Sequence, residues 1–306
     1  MTTAPLGDAR HPESLTLLSA YQHGVTMLKD AEVGNARHEA FWLLEAALGC
    51  PRLAVYVDPH SRVTPEDWER TEAVFRRRAS REPLQYIVGT QTFLGRDFLV
   101  RPHVFIPRPE TELIVEAVVA AAGLDDGGPV VDMGTGSGCL AVSLALARSR
   151  STVYATDCSL SALRLARDNA RRHGVDHRIR FVQGDGLVPL SGSGVAGTVS
   201  VIVSNPPYIP SGDLDGLPPD VRCFEPLRAL DGGPDGLKFY DRLLAESPTW
   251  LRPGGLLVME MGANQSGDIC RKVSGCTVHG APAWSVNHIR RDQSGIERVL
   301  CLERTE

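Results

Sequence analysis

The chain carries, at positions 130–138, the sequence Val130-Val131-Asp132-Met133-Gly134-Thr135-Gly136-Ser137-Gly138. Apolar β-branched residues followed by alternating glycines are typical of a buried strand that turns tightly into a helix. The glycines let a ligand approach the backbone, and the start of the helix offers free N–H groups. The spacing is G-x-G-x-G, which differs from the G-x-G-x-x-G of dinucleotide-binding folds. Taken alone, the loop fits either a ligand site or a tight turn.

Strands and helices alternate from residue 128 onward. Strands are predicted at 129–133, 152–157, 179–182, 199–204, 255–261, 277–279 and 298–302, and helices at 140–148, 160–173, 237–251 and 263–274. This alternation indicates an α/β fold with a mostly parallel sheet and helices on both faces. Almost nothing follows the last strand, so we expect it to pair antiparallel with its neighbours.

The first part of the chain has a different pattern. Apolar residues between 14 and 80 recur at helical spacing, Gly49 is a predicted C-cap, and Thr64 is a predicted N-cap. We therefore predict a helical domain at residues 1–82, with a role in substrate recognition. The helix after Thr64 carries arginines, which we interpret as a solvated basic face rather than a docking surface: Arg70, Arg76, Arg77, Arg78 and Arg81.

A β-hairpin is predicted to link the two domains at residues 83–104. Its two strands are expected at Tyr86-Ile87-Val88 and at 93–100, with glycines in the turns. The ligand-binding α/β domain then occupies residues 105–306.

Composition limits the class of protein. Among 306 residues, 42% are hydrophobic and 23% charged, which is ordinary for a soluble globular chain. No apolar run approaches a membrane span, and the first residues show no secretory leader. Seven cysteines without a C-x-x-C pair fit a reduced compartment, so we expect a cytoplasmic protein. A net charge of −5 provides no general attraction for nucleic acid.

A second motif follows the predicted strand 199–204. Its apolar run stops at Asn205-Pro206-Pro207-Tyr208. Proline cannot donate to a sheet ladder and also restricts the residue before it, so this backbone is stiff. Ligands bind at the carboxyl ends of strands in open α/β sheets. We expect the Asn205 side chain and the Pro206 carbonyl to act as two fixed acceptors for a planar NH2 group, with Tyr208 beside it.

Two acids complete the ligand prediction. Asp157 ends the second strand, where a carboxylate can bind ribose hydroxyls, and Asp185 follows the third strand, placed to meet an adenine. No triphosphate-binding loop is present in the sequence, and Asp132 suits a cationic amino-acid group. S-adenosylmethionine is therefore favoured over NAD. The residues expected around it are Asp132, Gly134, Thr135, Gly136, Gly138, Asp157, Asp185 and Asn205.

These motifs carry a resemblance to a known family. Beside them stand Ile106-Pro-Arg-Pro-Glu-Thr-Glu112, Glu225-Pro226, Asp231-Gly-Gly233, Asp235-Gly-Leu237, Glu260-Met-Gly262 and Arg291-Asp-Gln-Ser-Gly295 with Arg298. Together they resemble the class I, S-adenosylmethionine-dependent protein-(glutamine-N5) methyltransferases that modify peptide-chain release factors. The resemblance covers residues 83–302.

The resemblance implies a small helical domain, a hairpin linker and a seven-stranded Rossmann-like methyltransferase sheet. It assigns Asn205 and Pro206 to the substrate amide, and Gly134, Gly136, Asp157 and Asp185 to the cofactor. A release factor is the implied partner. Further substrate contacts are expected at Phe93, Arg108, Glu110, Pro207, Glu225 and Glu260.

Other functions remain open. The same acceptors could hold the guanidinium or amide of a free small molecule such as arginine, with carboxylates around Tyr208: Glu110, Asp213, Asp215, Asp220, Glu225 and Glu260. DNA adenine methylation also uses Asn-Pro-Pro-Tyr, but the net charge and the lack of a target-recognition insertion disfavour it. A non-catalytic binding module is disfavoured by the intact motifs. His173 and His177 lack a carboxylate set, so no metal is expected.

Overall fold

The computed structural model describes residues 15–121 and 127–305. Residues 1–14, in which we expect no secretory leader, lie outside that range. The chain divides into two compact units at Gly89 and Thr90. None of the described helices is long and apolar enough to cross a bilayer.

The first unit is helical in its described part. Its helices are α1 (Leu17–Asp30), α2 (Ala36–Leu48), α3 (Ala54–Val57), α4 (Pro65–Ala79) and α5 (Leu84–Val88). The Thr64 hydroxyl accepts a hydrogen bond from the Asp67 N–H, and Gly49 ends α2 with φ of 66°. Both predicted caps are therefore confirmed. Leu28, Leu43 and Phe75 are fully buried between the helices.

Two predictions for this region were wrong. Tyr86-Ile87-Val88 is not a strand, because Pro83 and a left-handed Gly89 cap a single helical turn, α5. Arg78 does not belong to a solvated face: it is buried, and its Nε donates to Glu39 at 2.6 Å. The side chain crosses to α2 because a buried arginine on the inner face of α4 needs an acid as its partner.

The second unit begins with the hairpin and continues as the sheet domain. Its strands are β1 (Thr90–Phe93), β2 (Arg96–Leu99), β3 (Val130–Met133), β4 (Val153–Asp157), β5 (Ile179–Gln183), β6 (Val199–Ser204), β7 (Leu251–Glu260), β8 (Thr277–Val278), β9 (Ala281–Pro282), β10 (Trp284–Arg291) and β11 (Glu297–Arg304). The main sheet has seven strands in the order β10-β11-β7-β6-β3-β4-β5. Strands β3 to β7 pair in parallel, and β11 pairs antiparallel with β7 and β10. The predicted fold is confirmed, including the antiparallel last strand.

Helices cover both faces of this sheet. They are α6 (Glu112–Ala120), α7 (Cys139–Ala147), α8 (Leu160–Arg172), α9 (Pro219–Arg222), α10 (Lys238–Glu246) and α11 (Ser266–Gly275). Residues of α6, α7 and α8 share one apolar core with the valines on one side of the strands. Residues of α10 and α11 form a second core with the opposite side. The central strands are buried on both faces, which is why they read as continuous apolar runs.

Three element predictions need correction. Residues 277–279 do not join the main sheet, since among the described strands β8 pairs with β9 alone. The edge strand that the sequence did not predict is β10. Its residues are mostly polar and partly exposed, so they lack the apolar run by which the other strands were predicted. Helix α10 ends at Glu246 rather than at residue 251, because Pro248 cannot donate an N–H to a longer helix and β7 begins at Leu251.

Strand β3 carries a buried acid at the centre of the sheet. Asp132 is fully buried, and its Oδ2 accepts hydrogen bonds from the Thr135 hydroxyl at 2.6 Å and the Ala141 N–H at 3.0 Å. Burial raises the pKa of this carboxyl from 3.8 to about 7, although both hydrogen bonds act in the opposite direction. The folded protein therefore keeps a proton on Asp132 that the unfolded chain releases.

We predict that Asp132→Asn flattens the pH dependence of stability. The raised pKa makes the wild type lose stability as pH rises from 3.8 to about 7, because only the folded state binds the proton in that window. The variant has no group to titrate there, so its free energy of unfolding should rise relative to the wild type across the window. Urea unfolding at several pH values measures this difference. A constant difference between the two proteins would contradict the raised pKa.

Candidate active site

A cavity of about 270 Å³ opens at the carboxyl ends of the parallel strands. The loop after β3 contributes Gly134, the end of β4 contributes Asp157, the loop after β5 contributes Asp185, and the loop after β6 contributes Asn205. The order of the strands explains why these four loops lie together. The chain moves outward from β3 through β4 and β5, and it then returns to place β6 on the other side of β3. Ligands of open α/β sheets bind at such a switch point.

The glycine loop has the conformation that its sequence predicts. Gly134 and Gly136 have φ of 77° and 56°, in the left-handed region that favours glycine. Nothing lies within 4 Å of the position that a Cβ on Gly134 would take. Thr135 lines the cavity with both glycines. The loop therefore leaves open space above its backbone, as a ligand cradle requires.

Gly138 has a packing role. It does not line the cavity, and its φ is 81°. A Cβ at this position would stand 2.8 Å from the Cβ of Ala166 on α8. Gly138 therefore permits α7 to start close to α8. Asp132 also does not line the cavity. It lies beneath the loop, where it accepts a hydrogen bond from Thr135 and holds that residue in place.

Asp157 borders the cavity with a carboxylate that is held in place. Its Oδ2 accepts from the Gly136 N–H at 2.9 Å, and its Oδ1 accepts from the Ser159 N–H at 2.8 Å. These bonds fix the carboxylate against the glycine loop. Each oxygen has a second lone pair, so the group can still accept from ligand hydroxyls.

Asp185 also borders the cavity, and it has an unexpected partner. Arg242 of α10 donates from Nη1 to Asp185 Oδ1 at 2.5 Å and from Nη2 to the Asp185 carbonyl at 3.1 Å. The same guanidinium binds Glu246 through Nε at 2.7 Å. Arg242 lines the cavity, yet nothing in the sequence marks it, because it is one arginine on the polar face of a helix.

The residues of the Asn-Pro-Pro-Tyr motif all line the cavity. Asn205 Nδ2 donates to the Thr111 hydroxyl at 3.0 Å, and the Thr111 hydroxyl donates to Glu260 Oε2 at 2.6 Å. The Tyr208 hydroxyl donates to Glu260 Oε1 at 3.2 Å. Asn205 is thus connected to a buried acid at the end of β7.

Burial and local charge determine the protonation states in this group. Burial raises the pKa of Glu260 to about 7, while the hydrogen bonds from Thr111 and Tyr208 act against that rise. Burial and the nearby Glu260 carboxylate raise the pKa of Tyr208, which therefore stays protonated and remains a donor. Glu260 does not line the cavity, so its predicted contact with substrate is replaced by contacts with Thr111 and Tyr208.

Among the remaining predicted substrate residues, Arg108 and Glu225 hold segments that line the cavity. Arg108 forms an ion pair with the buried Glu225, and Glu225 Oε2 accepts from the Ile106 N–H at 3.1 Å. This pair ties the segment of Phe105, which lines the cavity, to the loop that follows Glu225, whose Pro226 also lines it. Arg108, Glu110 and Glu225 do not line the cavity themselves.

Phe93 lies away from the cavity. It is fully buried and packs edge to face on Phe98, with ring centroids 5.9 Å apart. The ring of Phe93 is therefore part of the core, and the substrate contact expected from it is not available. Pro207 is the predicted substrate residue outside the catalytic set that does line the cavity. Within residues 15–121 and 127–305, no group of His, Cys, Asp or Glu is arranged to hold a metal ion.

Comparison with known proteins identifies the family. Residues 19–89 match the family described as the PrmC N-terminal domain, and residues 109–215 match the methyltransferase small domain. The release factor glutamine methyltransferase of Geobacter sulfurreducens is 44% identical over 289 residues, which cover 94% of this chain and 97% of that protein. Its counterparts in Moorella thermoacetica (40% identity, 95% and 100% covered) and Nitratidesulfovibrio vulgaris (39%, 94% and 95%) are similar over the same extent. The chain therefore belongs to the release factor glutamine methyltransferase family of class I methyltransferases, for which S-adenosylmethionine is the methyl donor.

Proposed function

We propose that this chain transfers a methyl group from S-adenosylmethionine to the side-chain amide nitrogen of a glutamine in a peptide-chain release factor. The observation that carries the proposal is the pair of acceptors at Asn205 and Pro206, in the same cavity as the glycine loop and Asp157. Its relatives are named for this activity.

The residues of the cavity fit the cofactor. The space above Gly134 and Gly136 suits the amino-acid end of the ligand, and Asp157 suits ribose hydroxyls. Asp185, held by Arg242, suits the edge of an adenine. S-adenosylmethionine supplies the methyl group on a sulfonium, whose positive charge is lost on transfer.

The chain's own contribution is to position the acceptor nitrogen. A carboxamide nitrogen is a poor nucleophile because its lone pair is delocalised into the carbonyl. Asn205 Oδ1 and the Pro206 carbonyl can each accept one N–H of the amide, which favours the form whose lone pair faces the methyl group. No base needs to remove a proton first, since positioning and electrostatics supply most of the rate enhancement in such a displacement. The new carbon–nitrogen bond forms as the carbon–sulfur bond breaks, and the methylated amide then releases one N–H proton to solvent.

The distribution of acids favours an amide over a guanidinium. A cationic guanidinium would need carboxylates beside Tyr208. Glu225 is paired with Arg108, and Glu260 is buried beneath Thr111. In the described part of the chain, the acids that line the cavity are Asp157 and Asp185, both in the proposed cofactor region. A neutral NH2 group matches this wall better than a cation does.

A transfer assay tests the substrate directly. The protein is incubated with methyl-labelled S-adenosylmethionine and, in separate reactions, a release factor, free glutamine, free arginine or duplex DNA. We expect label in the release factor alone, at one glutamine side chain located by mass spectrometry. Label in free arginine or in DNA would instead support the corresponding alternative and contradict the proposal.

Asn205→Ala should abolish most turnover. The variant loses one of the two acceptors, and removal of a comparable positioned group lowers kcat by roughly 10²–10³-fold. The dissociation constant of S-adenosylmethionine, measured by calorimetry, should change little. Asn287→Ala, at an exposed asparagine of β10, is the control and should keep wild-type turnover. A near-normal kcat in Asn205→Ala would contradict the assignment.

We also propose that the helical unit recognises the protein substrate. Three apolar side chains around α3 are strongly exposed: Leu53 by 66%, Tyr56 by 69% and Val57 by 82%. Large exposed apolar groups that stand together mark interaction sites more often than isolated ones do.

Val57→Asp should therefore raise the KM for the release factor about tenfold, which is typical of a disrupted contact at the centre of an interface. The kcat and the affinity for S-adenosylmethionine should be retained. Val119→Asp is the matched control, because Val119 is also exposed, by 60%, but lies on α6 of the other unit. Equal effects of the two substitutions would remove the basis for this role of α3.

A further inference from the structure

A chain of hydrogen bonds connects Asn205 with the core of the sheet domain. Asn205 Nδ2 donates to Thr111 Oγ1 at 3.0 Å, and Thr111 Oγ1 donates to Glu260 Oε2 at 2.6 Å. Thr111 is 2% exposed and Glu260 is 1% exposed, so water does not compete with these bonds. The acid receives a second bond from Tyr208, at 3.2 Å on Oε1.

Backbone structure brings these groups together. Asn205 directly follows β6, and Glu260 is the last residue of β7, which pairs with β6 in parallel up to Ser204 and Met259. Thr111 lies in a single 3₁₀ turn, Pro109–Thr111, immediately before α6. The three side chains therefore come from separate elements. Their spacing along the sequence does not predict that they are in contact.

When Glu260 is ionised, the hydrogens in this chain run in one direction only. A carboxylate accepts but does not donate, so Glu260 takes the single hydroxyl hydrogen of Thr111. Having donated that hydrogen, the Thr111 oxygen can act toward Asn205 only as an acceptor. It therefore selects the NH2 end of the asparagine amide. The opposite orientation would set two oxygens against each other without a hydrogen between them.

This direction determines what Asn205 presents to the cavity. With its NH2 group turned to Thr111, the amide must turn Oδ1 away from it. In residues 15–121 and 127–305 no hydrogen bond ends on Asn205 Oδ1. The flipped amide would place an NH2 group against the NH2 of the substrate, where two donors meet.

We propose that Thr111 and Glu260 are positioning residues that hold the Asn205 oxygen toward the substrate nitrogen. The proposal rests on the proposed function and assigns a task to two residues that do not themselves bind the acceptor amide. Glu260 orients the Thr111 hydroxyl, and Thr111 orients the asparagine amide. The acceptor geometry of Asn205 is therefore set from inside the core and is present before substrate binds.

The test compares Thr111→Val with Thr111→Ser. Valine has nearly the shape of threonine but no hydroxyl, so it leaves the Asn205 NH2 without its buried acceptor, and the amide then turns NH2 toward the cavity. A lost buried hydrogen bond shifts such an equilibrium by about tenfold or more. We expect Thr111→Val to lower kcat on the release factor at least tenfold, with an unchanged dissociation constant for S-adenosylmethionine. Serine restores the hydroxyl and should restore most of kcat.

A double variant separates positioning from general damage. If Thr111 acts through Asn205, Asn205→Ala with Thr111→Val should be no slower than Asn205→Ala alone. Independent losses that multiply in the double variant would overturn the proposal, as would a near-normal kcat in Thr111→Val. Thermal unfolding of each variant shows whether it is folded.

Glu260 provides a second pair in case Thr111→Val does not fold. Glu260→Gln keeps an oxygen that can accept from Thr111, whereas Glu260→Met does not. The proposal expects the methionine variant to lose at least tenfold more kcat than the glutamine variant, and equal losses would overturn it. Wild-type transfer to the release factor is measured first. Its absence would contradict the proposed function, whereas wild-type transfer with the wrong pattern among the variants would contradict the positioning proposal alone.

Discussion

Parallel pairing of β3 with β6 is the interaction on which the site depends. The two strands are distant in sequence, yet they pair from Val130 with Val201 to Asp132 with Val203. The Ser204 hydroxyl extends the pairing by donating to the Met133 carbonyl at 2.8 Å. Parallel strands end at the same edge, so the glycine loop and the Asn-Pro-Pro-Tyr motif must open into one cavity. One ladder thus joins the proposed cofactor half and the proposed substrate half of the site.

Two buried acids, Asp132 in that ladder and Glu260 on the neighbouring strand β7, are stabilised in the same way. Asp132 and Glu260 lie at or near strand ends, out of contact with the cavity. A buried carboxyl must be hydrogen-bonded, because its desolvation is otherwise costly. Each recruits a threonine hydroxyl from a cavity-lining segment, Thr135 in one case and Thr111 in the other. The requirement for hydrogen bonds in the core thereby sets the orientation of groups at the surface of the site.

The pairing of acids within the protein also bears on which acceptor group the cavity suits. Acids that could have received a cation are engaged in the scaffold: Glu225 holds Arg108 and the backbone of Ile106, and Glu260 holds Thr111. The acceptors left at the proposed substrate end are neutral oxygens. Neutral acceptors suit a neutral NH2 group, since an unpaired cation in a largely apolar cavity would lose more hydration energy than two carbonyl oxygens return.

Local sequence determined those features that need only neighbouring residues. The glycine loop, the stiff Asn205-Pro206 backbone and the helix caps follow from allowed φ/ψ values, and the strands of the core from their apolar runs. The tertiary structure decided which side chains face the cavity. Phe93 lies in the core, Arg242 reaches Asp185 from another helix, and Glu260 supports Asn205 through Thr111. Such contacts join residues tens to more than a hundred positions apart, and only the register and packing of the folded sheet bring them within hydrogen-bond distance.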